Sequence, residues 1–167
     1  MKQDEMVFRE EPVSEDLDRV RSIIEGSGFF HPYEVTVAVE LVSERLLKGT
    51  ESGYFFLFAE INGEVAGYAC YGPVPCTEAS YDIYWIAVRN DLRHHGLGKT
   101  IQERVEAAIR KMGGKRIYVE TSTRDLYAPT RSFYRRVGFQ EEALLADFYA
   151  QGDGKSIMVK VLDEPVE

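Results

Sequence analysis

The chain has 167 residues, 44% of them apolar and 29% charged, a balance that suits one soluble globular domain with a substantial core. A formal charge of −8 argues against general nucleic-acid binding. No apolar run approaches the ~20 residues that cross a bilayer, and Met1-Lys2-Gln3-Asp4-Glu5 opens no secretory hydrophobic region, so the expectation is a cytoplasmic protein without membrane attachment.

In chain order, Met6–Arg9 reads as a short first strand. Ser14-Glu15-Asp16-Leu17 reads as an N-cap with acids in the first turn, predicting a helix to about Glu25 that stops at Gly26-Ser27-Gly28. Phe29-Phe30-His31-Pro32 is a loop with two large apolar rings. Pro32 suits the start of a second helix, with Val35, Val39, Val42 and Leu46 on one face and Gly49 as its stop. Tyr54–Ile61 and Glu64–Gly72 are β-prone runs flanking Asn62-Gly63, a strong hairpin signal, and Pro73 and Pro75 end the second run. Ser80–Val88 is a further strand. After it Leu97, Ile101, Val105, Ala108 and Met112 recur at helical spacing until Gly113-Gly114. Arg116–Thr121 is a strand reached by that helical crossover, and is therefore expected parallel to Ser80–Val88. Pro129–Val137 reads as a short helix stopped by Gly138. Phe139–Tyr149 and Ser156–Leu162 read as an antiparallel pair across Gly152-Asp153-Gly154, and Asp163–Glu167 as a loose tail. The order β-α-α-β-β-β-α-β-α-β-β defines a single mixed α/β (α+β) domain over residues 1–167, with a mostly antiparallel sheet, one parallel crossover and helices on both faces.

Charge is unevenly spread. Arg89 to Arg136 holds twelve basic and five acidic residues, a local +7, against −15 for the remainder. Within the basic segment lies Arg93-x-x-Gly96-x-Gly98, between a strand and a helix start. Glycines let the backbone approach a ligand closely, and the first helical N–H groups have no partner inside the helix, so this turn suits a phosphate or pyrophosphate. The dinucleotide fingerprint Gly-x-Gly-x-x-Gly is absent, and where the triphosphate loop needs its early glycine the chain has Arg93. A glycine turn that merely reverses the chain is the competing reading.

The pattern Arg/Gln-x-x-Gly-x-Gly/Ala resembles the pyrophosphate motif of the GNAT superfamily of N-acetyltransferases. The element order is similar too, so the resemblance spans nearly the whole chain and is strongest from Ser80 to Phe139. It implies a GNAT-type fold with acetyl-coenzyme A as co-substrate. Arg93, His94, His95, Gly96, Leu97, Gly98 and Lys99 would wrap the pyrophosphate, mainly through backbone N–H groups, with Lys99 and Arg131 as secondary charge partners. Ile86, Ala87 and Val88 match the strand segment whose backbone pairs with the pantetheine amides.

Phe133-Tyr134, three residues and Gly138-Phe139 resemble a second GNAT segment, in which the tyrosine protonates the departing thiolate. A phenol with a pKa of about 10 stays protonated at neutral pH and can fill that role. The competing reading makes Phe133 and Tyr134 two core aromatics. Many members carry an asparagine seven residues before this tyrosine; here the residue is Tyr127, which puts that pantetheine contact in doubt. Asp82 stands where many members place a glutamate as general base, and its shorter side chain points to a water relay. The competing reading is a surface aspartate at the strand's start, and Glu120 on the next strand is the rival base. In ideal alternation Asp82, Tyr84, Ile86 and Val88 face one side, unless a bulge intervenes.

His31, His94 and His95 are the only histidines and form no evident metal site; Cys70 and Cys76 lack zinc-ligand spacing. With no Gly-x-Ser-x-Gly elbow, direct transfer in a ternary complex is expected, the two cysteines keeping a covalent route barely open. Asp147-Phe148-Tyr149 through Ser156-Ile157-Met158-Val159 loosely resembles the final hairpin of the N-terminal protein acetyltransferases. The expected acceptor is therefore a primary amine on a small molecule, an amino acid or a peptide N-terminus, with Phe29, Phe30 and Tyr33 walling its site. An acetyl-coenzyme A sensor without turnover is the alternative. A longer acyl donor and a homodimer are left open.

Overall fold

The computed structural model describes residues 5–163. The reading of the chain's end as a loose tail falls, Asp163 apart, outside those residues, as does most of the N-terminal segment ahead of the first strand. The elements are β1 (Met6–Arg9), α1 (Asp16–Ser27), α2 (Pro32–Lys48), β2 (Phe55–Ile61), β3 (Glu64–Pro73), β4 (Ser80–Val88), α3 (Leu97–Lys111), β5 (Arg116–Ser122), α4 (Ala128–Arg136), β6 (Gln140–Ala150) and β7 (Asp153–Val161). This is the expected order. The hydrogen-bonded strand order is β1-β2-β3-β4-β5-β7-β6. As predicted, β4 and β5 run parallel; their register covers Ser80–Asp82 against Arg116–Tyr118. The pairs β1–β2, β2–β3, β5–β7 and β6–β7 are antiparallel. The last hairpin does not simply extend the sheet: β7 inserts between β5 and β6.

The chain forms two compact units. One comprises the residues through Gly72 together with Trp85–Val105, the other Pro73–Tyr84 together with the residues from Glu106 onward; β4 and α3 contribute to both.

In the first unit the β2–β3 hairpin turns at Asn62 (φ 53°) and Gly63 (φ 82°), the left-handed pair the sequence signalled. Alternation along β3 serves two helical layers. Tyr68 and Cys70 belong to a core with Val20, Ile24, Val35, Ala38 and Val42 of α1 and α2. The opposite face meets α3 at Gly67, where an added Cβ would lie 2.9 Å from both Ile101 Cδ1 and the carbonyl oxygen of Ala87. Helices thus cover both faces of this strand. The expected cap of α1 is not Ser14. Its hydroxyl bonds Glu15, and the chain entry is fixed instead by the buried Asp16 carboxylate. That carboxylate accepts the Val13 N–H at 2.8 Å and guanidinium hydrogen bonds from Arg9 at 2.7 and 3.0 Å and Arg19 at 3.0 Å. On α2, Leu46 is 40% exposed, and the buried stripe ends at Arg45. The Arg45 guanidinium donates to the Tyr54 carbonyl at 3.1 Å and the Glu11 carboxylate at 2.6 Å, so a charged side chain can take a core position.

In the second unit α3 ends at Gly113 (φ 87°), with the Gly114 N–H reaching back to the Ile109 carbonyl at 2.9 Å. The buried stripe of α3 runs through Ile109 rather than Ala108, and Met112 is 39% exposed. Helical phase explains the correction, since Ile101, Val105 and Ile109 are spaced by four. Lys160 of β7 ties three elements together. Its ammonium donates to Glu106 of α3 at 2.6 Å and to the Val137 carbonyl at the end of α4 at 2.8 Å.

Candidate active site

The anion turn is built as a sequence of local devices. After β4 a 3₁₀ turn at Asn90–Leu92 leads to Arg93, whose backbone is extended (φ −68°, ψ 157°). His94 (φ 65°) and Gly96 (φ 83°) are both left-handed. The positive φ at His94 was not legible in the sequence; Gly96 is where glycine is expected to carry it. Leu97 then buries its side chain at the start of α3 and anchors the turn. His94, His95, Gly96 and Lys99 are exposed, and a Cβ added to Gly96 would meet nothing within 4 Å. The Thr100 N–H closes the first helical turn on the Gly96 carbonyl at 3.1 Å. Lys99 forms an i,i+4 ion pair with Glu103 at 3.7 Å, and the Arg93 guanidinium lies 4.9 Å from the centre of the Phe29 ring. The turn therefore shows open backbone with basic side chains folded alongside it.

The predicted aromatic wall separates into three roles. Phe29 lies under Arg93. Phe30 packs edge-on to Trp85, ring centres 5.0 Å apart, as part of the core beneath α1 and α2. Tyr33 is 67% exposed and stacks on His31 at 5.2 Å. Of the segment matched to pantetheine, Ala87 is buried and Ile86 and Val88 are half-buried.

In the second unit strand pairing gathers a cluster that no local motif announces. Alternation over Tyr81–Tyr84 buries Tyr81 and Ile83 and leaves Asp82 half-buried and Tyr84 exposed. Asp82 pairs in register with Tyr118, two residues before Glu120. Lys155 of β7 reaches Glu120 with Nζ–Oε2 at 2.8 Å. Its ammonium sits 3.8 Å from the centre of the Phe148 ring and 5.8 Å from that of Tyr149. Those rings come from a disturbed part of β6, where the register with β7 shifts between Leu145 and Ala150 and Asp147 is left-handed (φ 54°). Burial raises the Asp82 pKa above its ordinary value and the Glu120 charge adds to the rise, while Lys155 opposes it. A carboxylate held in this way is a stronger base than a free one. Lys155 and the rings were not among the predicted site residues. Lys155 alternates with the buried Gly154 and Ser156, which puts it on the face away from the core, but only the β5–β7 pairing brings it to Glu120.

Tyr134 is the buried residue of α4, its ring edge-on to Phe133 and Phe139 at 5.4 and 5.3 Å. Burial raises its phenol pKa, so the group stays protonated. Arg131, one turn before it, donates to the carbonyls of Ser122 at 2.6 Å and Arg124 at 3.0 Å. It fastens α4 to the end of β5. No group of three or more His, Cys, Asp or Glu residues suited to a metal occurs among the described residues.

The sequence profile of the Acetyltransferase (GNAT) family matches residues 19–139, and the chain belongs to that family. A solved GNAT-family structure from Desulfovibrio desulfuricans is 46% identical, with a TM-score of 0.92, over 94% of this chain and 99% of its own. An N-alpha-acetyltransferase from Sulfurisphaera tokodaii is 26% identical over 126 residues, 70% of this chain and 73% of the relative. An N-acetyltransferase from Thermoplasma acidophilum, solved with coenzyme A, shares the fold at a TM-score of 0.73 and 16% identity, over 95% of this chain and 99% of its own.

Proposed function

We propose that the chain transfers an acetyl group from acetyl-coenzyme A to a primary amine, directly in a ternary complex. The observation that carries this reading is the half-buried Asp82 beside Glu120, in a chain that also has an exposed glycine turn at a helix start. The turn Arg93–Lys99 would hold the pyrophosphate through its backbone N–H groups, and the backbone of Ile86–Val88 would run alongside the pantetheine. Asp82, directly or through one water, would take the proton that an ammonium must lose before it attacks the thioester. Tyr134 would return a proton to the sulfur as the thiolate departs. Arg131 would serve by holding α4 in place, because its guanidinium is already bonded to two carbonyls.

The acceptor site would be the acidic and aromatic face formed by Asp82, Glu120, Phe148 and Tyr149, where a cationic amine would take the place that the Lys155 ammonium holds. The Sulfurisphaera tokodaii relative, an N-alpha-acetyltransferase, supports an α-amine as the acceptor. The test is coenzyme A release over a panel of small amines, amino acids and peptides with free N-termini. Turnover confined to one acceptor class is expected. Calorimetric binding of acetyl-coenzyme A with no release for any acceptor would establish the sensor instead.

A further inference from the structure

We propose that Lys155 is a modification site, acetylated by the protein's own active site when no acceptor is bound. The inference rests on the acetyl-transfer reading above. The Lys155 side chain is only 12% exposed, and its ammonium is enclosed by groups that would recognise an acceptor amine. Glu120 Oε2 is 2.8 Å away, the Phe148 and Tyr149 rings are 3.8 and 5.8 Å from Nζ, and the ammonium acts electrostatically on Asp82. The two carboxylates are those the sequence offers as general bases. Beyond its ion pair, Lys155 has the aromatic contacts that a cationic substrate would make.

The chemistry balances with acetyl-coenzyme A as the only co-reactant. Glu120 takes a proton from the ammonium, and the neutral Nζ attacks the thioester carbonyl. The C–N bond forms, the C–S bond breaks, and the thiolate leaves with a proton. Acetyl-lysine, coenzyme A and one released proton are the products. Acetylation removes the charge from Nζ, so Glu120 loses its partner.

The chain has seven lysines, and Lys2, Lys48, Lys99, Lys111, Lys115 and Lys160 serve as internal controls. The native protein is incubated with acetyl-coenzyme A and no amine, and the acetylation of each lysine is followed by peptide mass spectrometry. Lys155 is expected to acquire its acetyl group about 100-fold faster than Lys48 or Lys99, the low end of the roughly 10²–10⁴-fold that general base catalysis contributes. The preference should vanish in heat-denatured protein and when acetyl phosphate replaces acetyl-coenzyme A. Lys155→Arg keeps the positive charge and should remove the fast mass gain. Equal rates at Lys155 and the control lysines would overturn the proposal, as would a preference that persists with acetyl phosphate or after denaturation. A protein that acetylates added amines but leaves Lys155 unmodified refutes this inference alone. One that does not bind acetyl-coenzyme A refutes the proposed function as well.

Discussion

The anion turn and the carboxylate cluster are made in opposite ways. The turn is local. Its parts lie within seven consecutive residues, its proposed contribution to binding is backbone N–H groups, and its shape depends on two left-handed residues, His94 and Gly96. The cluster is assembled from β4, β5, the disturbed end of β6 and β7, and what it offers is side chains. A backbone site tolerates most side-chain changes and fails when the backbone is forced elsewhere. A side-chain site depends on identity and charge at each position, and its members can be exchanged with graded effects. Substitutions in the two regions should therefore differ in kind as well as in size.

The largest effect should come from the turn. Gly96→Asp places a side chain where φ is 83°, a conformation that costs a non-glycine residue roughly 1–3 kcal/mol, and adds a negative charge at the proposed phosphate site. Affinity for acetyl-coenzyme A, read by calorimetry, should fall about 100-fold or more, since each 1.4 kcal/mol is a factor of ten. The protein should still fold, because open space surrounds that position. His95→Ala, on the same turn but exposed, should change affinity little. Equal losses for the two would show that the site is built from side chains, and would break the contrast.

Tyr134→Phe comes next. The substitution keeps the ring edge-on to Phe133 and Phe139 and removes only the hydroxyl. General acid catalysis is worth about 10²–10⁴-fold, and a thiolate is a tolerable leaving group, so kcat should fall by roughly 10². Acetyl-coenzyme A affinity should hold, since one hydrogen bond contributes only about 1 kcal/mol net. Stopped-flow or steady-state kinetics on protein of matched Tm would decide. An unchanged kcat would make Tyr134 a packing residue.

What was legible in the sequence follows the same division. Signals of short range were readable: Asn62-Gly63 at the hairpin, Gly113-Gly114 at the end of α3, Gly96 in the turn, and the element order. Errors arose where tertiary burial overrode pattern. Leu46 continues a helical stripe, yet Arg45 is buried beside it, bonded to Tyr54 and Glu11. Ser14 looks like a cap, but Asp16 satisfies the Val13 N–H and gathers two arginines. The cluster lay furthest from reach. Asp82 and Glu120 could be singled out as carboxylates on strands of a familiar order. Lys155 could not, because its partner is 35 positions away and is met only through the insertion of β7 between β5 and β6.

Asp82→Asn should have a smaller effect on activity than Tyr134→Phe, because Glu120 and water remain nearby. The expected loss is roughly tenfold in kcat/KM near neutral pH, less than the full contribution of a general base. The loss should be largest at low pH, where few acceptor amines are neutral, and should shrink as pH rises. A pH–rate profile checks this. The same loss at every pH would assign Asp82 a structural role, and full activity would shift the role of base to Glu120 or solvent.

The smallest effect concerns stability, and it has the opposite sign. Burial first, and Glu120 second, raise the native Asp82 pKa above its ordinary value of 3.8. The native state therefore holds this proton more tightly than the unfolded chain does. For a carboxylate raised in this way, the linked stability is fully present below the ordinary value. It is lost as pH climbs through the window from 3.8 up to the native pKa. At neutral pH the ionised Asp82 is thus a net burden on the fold, lightened but not removed by Lys155. Asp82→Asn removes a charge without removing volume. Its Tm should be slightly above wild type at pH 7, and the difference should close as pH is lowered below the ordinary carboxylate range. Activity lost and stability gained at one residue is the pattern of a side chain kept for chemistry. Calorimetric melts of both proteins at several pH values between 3 and 8 provide the measurement. A Tm lowered at pH 7 would instead mark Asp82 as a residue the fold requires, and the cluster would then be framework rather than machinery.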